Sequence, residues 1–403
     1  MAEKVVITGL GCLCGLGLDV SSSWEALVAG INPVKRFSLF DPLDLPNFFG
    51  VELPADAQDL FSSHVKQRSR SQMTRATLIA VVVADMAMAD AKVDMACLDQ
   101  TRIGVVVGAT GTGYCHGGNE KDEHRILRNM ANASASWISL RHKCLGPSFV
   151  VSTACSSGAY ALCSAYDLVA QGECDIVIAG SADSSINFPD VQGFCSVMAL
   201  SEDKDFSHAC RPFDLRRNGF VLGEGGGMLI VESEAFAAKR NAKVYARLHR
   251  PALTSEAYNI LSPQPGGVGM AHAMKRALFN AKLQPLDISY INAHGTSTPY
   301  NDLYETQAIK AVFGRGAYAI PVSSTKPQTG HCLAGAAGVE AVLCVKALCE
   351  GIVPATLNLT EPDPECDLDY VPQKCRRNTM KHIMSNSFAF GGHNGVCIFS
   401  TYE

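Results

Sequence analysis

The residue best suited to covalent chemistry in this sequence is a cysteine set among small residues. Two valines at 150 and 151 lead into Ser-Thr-Ala-Cys-Ser-Ser-Gly at 152–158, and an apolar pattern of helical period follows. This order predicts a strand, a tight turn and a helix, with Cys155 in the turn. The free amide N–H groups and the positive dipole end of the helix would favour the nucleophilic thiolate there. The alternative is a small buried hydrophobe, which is how free cysteines usually behave.

Three further polar residues follow strand-like segments later in the chain. His294 comes after the apolar segment 288–292, Lys326 ends the segment 322–326, and His331 opens a run of small residues. In α/β sheets, active sites gather at the carboxyl ends of the strands. The sequence therefore predicts that these three side chains converge with Cys155.

The elements that must position these residues alternate between strand and helix. Buried strand patterns run through 5–8, 101–108 and 175–180, with apolar helical patterns between them. From about residue 241 the alternation begins again and again contains a reactive turn. The chain is therefore predicted to be an α/β protein built from two related halves, residues 1–240 and 241–403.

Glycines crowd the segment after the first predicted strand. They predict a glycine-rich turn at Gly9, Gly11, Gly15 and Gly17. Their spacing is not that of the dinucleotide-binding fingerprint, and no acidic residue ends a second strand. NAD binding is not expected here.

Composition excludes several function classes. The chain has 403 residues, of which 47% are hydrophobic, and its net charge is −5, which favours neither nucleic acid nor a membrane as partner. The first residues show no secretory signal pattern, and the most apolar run stops at Asp85. Sixteen cysteines without a CxxC pair indicate reduced thiols in the cytoplasm and no zinc or other metal site.

Four spaced motifs give a more specific indication. They read TACSSG at 153–158, NAHGTSTP at 292–299, SSTKPQTGH at 323–331 and NSFAFGGHN at 386–394. Together they resemble the β-ketoacyl-ACP synthases of the synthase II type, the condensing enzymes of type II fatty-acid and polyketide synthesis. The resemblance implies the thiolase fold, with duplicated βαβαβαββ halves in a five-layered αβαβα sandwich, and usually a dimer.

The resemblance also implies a reaction. Cys155 would carry the acyl group, and the backbone N–H groups of Cys155 and Phe390, in the gating loop 386–394, would form the oxyanion hole. His294 and His331 would stabilise the enolate left by decarboxylation of a malonyl group. Lys326 would support the two histidines, with Glu305 as its carboxylate partner.

Substrate and carrier contacts follow from the same resemblance. Thr296 and Thr298 would hold the phosphopantetheine arm of the acyl carrier protein through their hydroxyl groups. Ser262 and Phe388 are also expected to bind substrate. No cofactor is expected on the enzyme, because the substrates arrive on the phosphopantetheine of the carrier.

A basic segment near residue 70 has two interpretations. Lys66, Arg68 and Arg70 have no acidic residue between them. They are the start of a solvated helix, or they form a docking patch near the tunnel mouth for an acidic carrier protein.

Departures from the family pattern leave the substrate open. Ala389 replaces a glycine before the gating phenylalanine, His393 replaces a threonine, and Met198 stands where many relatives have a basic carrier contact. The charged segment 120–125 replaces a Pro- and Phe-rich stretch that lines the acyl tunnel. These departures favour a specialised polyketide or polyene ketosynthase, acting as a homodimer or beside a chain-length-factor homologue. The alternatives are a β-ketoacyl-ACP synthase II of primary fatty-acid synthesis and a non-catalytic subunit that only shapes the pocket.

Overall fold

The first half of the chain contributes five strands to an eleven-stranded sheet that has helices on both faces. The computed structural model describes residues 3–42, 45–110 and 123–402. The strands of this half are β1 (Val5–Cys14), β2 (Lys35–Arg36), β3 (Phe49–Gly50), β4 (Ile103–Gly108), β5 (Ser148–Val151), β6 (Ile176–Ser184) and β7 (Glu224–Ser233). The helices are α1 (Val20–Val28), α2 (Ala57–His64), α3 (Gln67–Arg70), α4 (Arg75–Asp90), α5 (Arg125–Arg128), α6 (Ala133–His142), α7 (Ser157–Ala170), α8 (Phe188–Ser196) and α9 (Glu234–Lys239).

The second half repeats this plan with shorter strands. Its strands are β8 (Ala246–Leu248), β9 (Ala252–Ser255), β10 (Tyr290–Asn292), β11 (Val322–Ser323), β12 (Ile352–Val353), β13 (Arg376–Arg377), β14 (His382–Ala389) and β15 (His393–Ser400). Its helices are α10 (Val268–Ala281), α11 (Pro299–Phe313), α12 (Lys326–Thr329) and α13 (Ala336–Glu350). Short pairs β2–β3 and β12–β13 lie outside the main sheet.

The order of the strands shows that the two halves are related. In the first half the strands lie in the order β5-β4-β6-β7-β1, and in the second half in the order β11-β10-β14-β15-β8. Each half has parallel pairing at its β5 or β11 end and antiparallel pairing elsewhere. The predicted duplication is therefore confirmed. The predicted boundary at residue 240 falls between α9 and β8 and stays a prediction.

Helix contacts arrange the two halves of the main sheet, which are joined by the pairing of β1 with β8, in five layers. Helices α7 and α13 touch each other, and both contact strands of each half, so they form the central layer. Helices α4 and α6 cover the outer face of the first half of the sheet, while α10 packs on β9 and β15 and carries α11. These are the layers that the thiolase fold predicts, and its αβαβα order is confirmed.

The predicted glycine-rich turn is confirmed at Gly15 and Gly17, where the backbones of Cys14 and Gly17 bond to each other, but it is wrong for Gly9 and Gly11. β1 continues through Gly9 and Gly11 to Cys14, with a bulge between Ile7 and Gly9. A Cβ atom at Gly9 would stand 2.3 Å from the carbonyl oxygen of Ala87, and one at Gly11 would stand 2.0 Å from that of Val83. Both carbonyls belong to α4. These glycines therefore serve the close packing of α4 on the strand, not a reversal of the chain.

Among the described residues, no helix has the length and apolar character needed to cross a membrane.

Candidate active site

A strained turn places Cys155 at the end of β5. The residue before it, Ala154, has a φ of 49°, in the left-handed region that residues with a side chain rarely adopt. Two hydrogen bonds hold this turn: the backbone N–H of Thr153 donates to the Ser157 hydroxyl at 2.9 Å, and that hydroxyl donates to the carbonyl of Ala154 at 2.6 Å. The surrounding structure thus fixes the direction of the thiol.

The thiol lies further from the helix, and deeper, than the sequence predicts. Helix α7 begins at Ser157, two residues after the cysteine, and Cys155 is only 5% exposed. Burial raises the pKa of the Cys155 thiol to about 12, although the positive charge of Lys326 acts in the opposite direction. Burial therefore opposes the thiolate that the turn is expected to favour, and the state of the resting thiol stays a prediction.

Two histidines meet the thiol as predicted. The Nε2 atom of His331 lies 3.0 Å from the Cys155 Sγ atom. The rings of His294 and His331 lie 5.4 Å apart and nearly perpendicular. One ligand atom from each of the three residues lies within 4.8 Å of the others, so one reacting group can touch all three.

Both histidines are neutral near neutral pH. Burial, reinforced by the positive charge of Lys326, holds the pKa of His294 and His331 well below the usual range. Within the described part of the chain, neither Nδ1 atom has a hydrogen-bond partner. Each ring can therefore offer an N–H group without carrying a positive charge.

Lys326 has a different carboxylate partner from the one predicted. Its Nζ atom donates to Glu340 Oε1 at 2.5 Å and to the backbone carbonyl of His294 at 2.5 Å. Both charged side chains are buried, with Lys326 at 0% and Glu340 at 2% exposure. The predicted pairing of Lys326 with Glu305 is wrong, because Glu340 on α13 reaches the ammonium group instead.

Glu305 nevertheless belongs to the site. Its carboxylate accepts hydrogen bonds from the backbone N–H groups of His294 and Gly295, each at 2.9 Å, and from the Asn386 side chain at 3.1 Å. Burial raises its pKa to about 7. Glu305 therefore holds the backbone of the His294 loop, while Lys326 holds the same residue from its carbonyl side.

A cavity of about 410 Å³ leads from the surface to these residues. Its walls include the predicted substrate residues Thr296, Thr298, Ser262 and Phe388, and also Phe390 of the predicted oxyanion hole. The hydroxyl oxygens of Thr296 and Thr298 lie 2.9 Å apart, so they form one polar spot in the wall. The structure thus brings together the predicted catalytic and substrate residues.

The loop that carries Phe390 is held from outside the cavity. Gly391 and Gly392 have φ values of 80° and 71°, and the Gly391 N–H donates to the carbonyl of Ile260 at 2.7 Å. His393 packs edge-on against the ring of Tyr160, with centroids 6.1 Å apart. This contact agrees with a packing role for His393.

The predicted docking residues lie apart from this cavity. Lys66, Arg68 and Arg70 lie at the short helix α3, and none of them lines the cavity wall. The Arg70 guanidinium donates to the side chains of Ser62 and Gln67. Their role in carrier docking stays a prediction.

Two site residues escaped the sequence reasoning. Glu340 is the single carboxylate in the apolar segment of α13 up to Cys349. A lone carboxylate in such a segment indicates a buried partner for a cation. Glu256 lies in the cavity wall, where it accepts hydrogen bonds from the Gln264 N–H and the Asn394 side chain. Nothing in the local sequence around Glu256 indicates this contact.

Known proteins resemble the chain along its whole length. The family described as "Beta-ketoacyl synthase, N-terminal domain" matches residues 2–237, and "Beta-ketoacyl synthase, C-terminal domain" matches residues 245–360. A 3-oxoacyl-[acyl-carrier-protein] synthase 2 of Synechocystis sp. is 39% identical over 415 residues, covering 100% of this chain and 99% of the relative.

Solved structures agree over the full chain. A type II polyketide ketosynthase complex, AntDE with its acyl-carrier protein AntF, gives a TM-score of 0.89 at 28% identity. The ishigamide ketosynthase/chain length factor gives a TM-score of 0.92 at 29% identity. In both comparisons the match covers 100% of this chain and 100% of the other chain.

Proposed function

This chain belongs to the β-ketoacyl synthase family, and from that membership we propose that Cys155, His294 and His331 carry out a decarboxylative condensation. The enzyme is a β-ketoacyl-ACP synthase of the synthase II type. The observation that carries the assignment of residues is the 3.0 Å contact between His331 Nε2 and the Cys155 sulfur, with His294 beside it in the same cavity.

The first step loads the acyl group onto the enzyme. The Cys155 sulfur attacks the thioester carbonyl of an acyl carrier, and the carbonyl oxygen gains negative charge. The backbone N–H groups of Cys155 and Phe390 stabilise that charge. The thiol releases a proton as it attacks and the departing phosphopantetheine sulfur takes one up, so the exchange is proton-neutral.

The contact with His331 compensates for the raised pKa of the Cys155 thiol. With its proton assigned to Nε2, the ring donates to the sulfur and stabilises the negative charge that develops there. The buried charge of Lys326 acts in the same direction. The Cys155 sulfur is therefore activated as it attacks, when substrate fills the cavity, and not in the resting enzyme.

The second step creates the carbon nucleophile. A malonyl thioester enters the cavity, its carboxylate leaves as carbon dioxide, and the electron pair of the broken C–C bond passes to the thioester oxygen. The Nε2–H groups of His294 and His331 donate to this enolate oxygen. Lys326 and Glu305 act as positioning residues, since they hold the carbonyl and the N–H of His294.

The third step forms the new C–C bond. The enolate carbon attacks the acyl carbonyl on Cys155, the same oxyanion donors stabilise the tetrahedral intermediate, and the C–S bond breaks. The product β-ketoacyl chain stays on the carrier. The Cys155 sulfur takes up one proton and returns to the thiol.

The acyl substrate we propose is a polyketide or polyene intermediate. Ala389 before Phe390 and the charged segment that replaces the tunnel-lining stretch both change the surroundings of the acyl chain. Residues 120–122 of the charged segment 120–125 lie outside the described residues. A β-ketoacyl-ACP synthase II of primary fatty-acid synthesis is the alternative, and the name of the Synechocystis relative favours it.

A non-catalytic subunit is the least supported alternative. Such a subunit only shapes the pocket of a partner and has no need of a nucleophile. Here the cysteine, both histidines and Lys326 are all present and in contact. An acyl carrier protein is therefore a substrate of this chain, by analogy with the carrier bound in the AntDE:AntF structure.

The proposed function is tested by mass spectrometry of the enzyme after incubation with acyl carriers. Wild-type enzyme should gain the acyl mass on Cys155, whereas Cys155→Ala should gain none and keep its fold, since the change is small. Cys155→Gln should still release carbon dioxide from malonyl carrier, because the histidines remain. Acyl-enzyme formed by the alanine variant would refute the assignment.

Substrate choice is tested with carriers of matched length. Condensation rates on saturated and conjugated acyl carriers are compared, with the enzyme alone and with any co-encoded homologue. Faster reaction of the conjugated chains supports the specialised role. Equal or faster reaction of the saturated chains by the enzyme alone indicates primary fatty-acid synthesis.

A further inference from the structure

The mouth of the cavity carries a collar of exposed apolar side chains. Two of its members are the most exposed: Met198 is 85% and Ile260 is 74% accessible to solvent. Val197, Leu261 and Tyr300 line the cavity with Met198 and are between 42% and 61% exposed. Ile260 adjoins Leu261 in the chain, and the exposed Tyr258 and Val268 lie two residues from the lining residues Glu256 and Met270. Exposed apolar groups are common singly, but a group of them around one opening marks an interaction site.

The collar surrounds a wall with little charge. Among the described residues that line the cavity, Glu256 is the one charged side chain that is not a histidine. Its two carboxylate oxygens already accept hydrogen bonds from Gln264 and Asn394. The described residues of the cavity lining therefore offer apolar contact area and no cation for an acidic partner.

The collar is tied to the catalytic loop. Met198 and Leu261 line the cavity, and the carbonyl of Ile260 accepts the N–H of Gly391, next to Phe390. Tyr300 stacks on Tyr304 with centroids 5.9 Å apart, so this part of the collar is braced by α11. A body that sits on the collar thus contacts the opening through which any substrate must pass.

We infer that this collar is a docking surface for the acyl carrier protein and that its contact is apolar, so that it persists at high salt. The inference rests on the proposed function. The occupant follows from the geometry: Cys155 lies buried at the base of the cavity, and a substrate tethered to a protein can reach it only if that protein rests at the mouth. The carrier must then present apolar side chains beside its phosphopantetheine attachment.

This contact is separate from steering by surface charge. Lys66, Arg68 and Arg70 can raise the association rate with an acidic carrier at low salt, whereas burial of Met198 and Ile260 would contribute at any ionic strength. The two contributions are therefore separable by salt.

The test compares one acyl group on two carriers. KM is measured for decanoyl-acyl carrier protein of the same organism and for decanoyl-pantetheine, which has no protein to dock. Wild-type KM for the protein carrier should rise by less than about 3-fold up to about 0.5 M NaCl, where charges are screened within roughly 4 Å. A steep rise with salt would show electrostatic docking and overturn the inference.

Substitution of the collar supplies the second readout. Met198→Asn/Ile260→Asn removes apolar area without adding charge, and asparagine tolerates the φ of 53° at position 198. At high salt the ratio of the KM for the protein carrier to that for decanoyl-pantetheine should rise roughly 10-fold or more, from the lost burial of two side chains. An unchanged ratio would refute the docking surface.

A matched control and a distinct failure mode complete the design. Phe279→Asn changes an apolar side chain of similar exposure, 73%, on α10, about 16 Å along the helix from Val268 at about 1.5 Å per residue, and should leave both KM values unchanged. A change of molecular mass in the collar variant would mean that a second copy of the chain covers the collar, contrary to the inference. Failure of wild-type enzyme to form an acyl-enzyme from either substrate would instead refute the proposed function.

Discussion

At the scale of single residues, the site joins a deeply buried nucleophile to donors that act only when charge develops. Burial favours the thiol form of Cys155 and keeps His294 and His331 neutral. Low polarity strengthens each hydrogen bond formed in the cavity. The site is therefore poised for charges that arise on substrate atoms, not for a resting ion pair between cysteine and histidine.

The state of the Cys155 thiol can be measured by alkylation. Because burial raises its pKa, the rate of modification by iodoacetamide should increase about tenfold per pH unit between about pH 7 and 9. Quantitative mass spectrometry of the peptide containing Cys155 gives the rate. The exposed thiols Cys97 and Cys349 are replaced by serine to simplify the assay. A rate already independent of pH above about 7 would show a resting thiolate.

The two histidines should separate acylation from decarboxylation. His294→Ala or His331→Ala should still allow transfer of the acyl group to Cys155, but each should slow carbon dioxide release by roughly 10²–10³-fold through loss of one oxyanion donor. Acyl-enzyme mass and carbon dioxide release from malonyl carrier are measured on the same preparations. Carbon dioxide release at the wild-type rate in both variants would contradict the two-donor mechanism.

The sequence predicted which residues form the site more fully than it predicted which of their side chains bond to each other. Their places at the ends of predicted strands predicted that Cys155, His294, Lys326 and His331 converge, and the structure brings them together. The partner of Lys326 could not be predicted, because Glu305 and Glu340 lie on different helices, and only the packing of α13 decides which carboxylate reaches the ammonium group.

At the scale of elements, close packing explains where pattern reasoning failed. Glycines near a strand end usually indicate a turn, yet Gly9 and Gly11 extend β1 and admit the backbone of α4. The sequence predicted the strand pattern before them and an apolar helical pattern between the first two strands. The sequence could not predict the contact of these glycines with α4. A glycine that makes room for a helix and a glycine that forms a turn are the same residue in the sequence.

The close contact predicts a large effect of one methyl group. In Gly11→Ala the new Cβ atom would stand 2.0 Å from the Val83 carbonyl oxygen, so α4 must shift, and the free energy of unfolding should fall by about 1–3 kcal/mol. Gly193→Ala on α8, where no atom lies within 4 Å of the new Cβ, is the matched control and should be neutral or stabilising by about 0.5–1 kcal/mol. Urea denaturation measures both. Equal stabilities of the two variants would contradict the packing role of Gly11.

At the scale of the whole molecule, duplication leaves each half with an edge strand. The main sheet ends at β5 in the first half and at β11 in the second half. The two edges differ: both residues of β11 are buried, whereas Ser148 and Phe149 of β5 are exposed. An exposed edge strand is a template for pairing with another chain. Of the two edges, the one at β5 is therefore available for pairing with another chain.

We expect this edge to form the two-fold interface of a dimer. Leu140 and Leu145 beside β5 are 71% and 66% exposed, and together with Phe149 they add apolar area to the unpaired backbone. Alone or with a co-encoded homologue, the chain should sediment at about twice its mass of 43.0 kDa. Leu145→Asp/Phe149→Asp should return it to the mass of one chain, because two carboxylates would have to be buried unpaired. Phe279→Asp, on the distant surface of α10, is the control and should leave the mass unchanged. A double variant that still sediments at twice the chain mass would place the interface elsewhere, and the acyl pocket would then have to be completed within one chain.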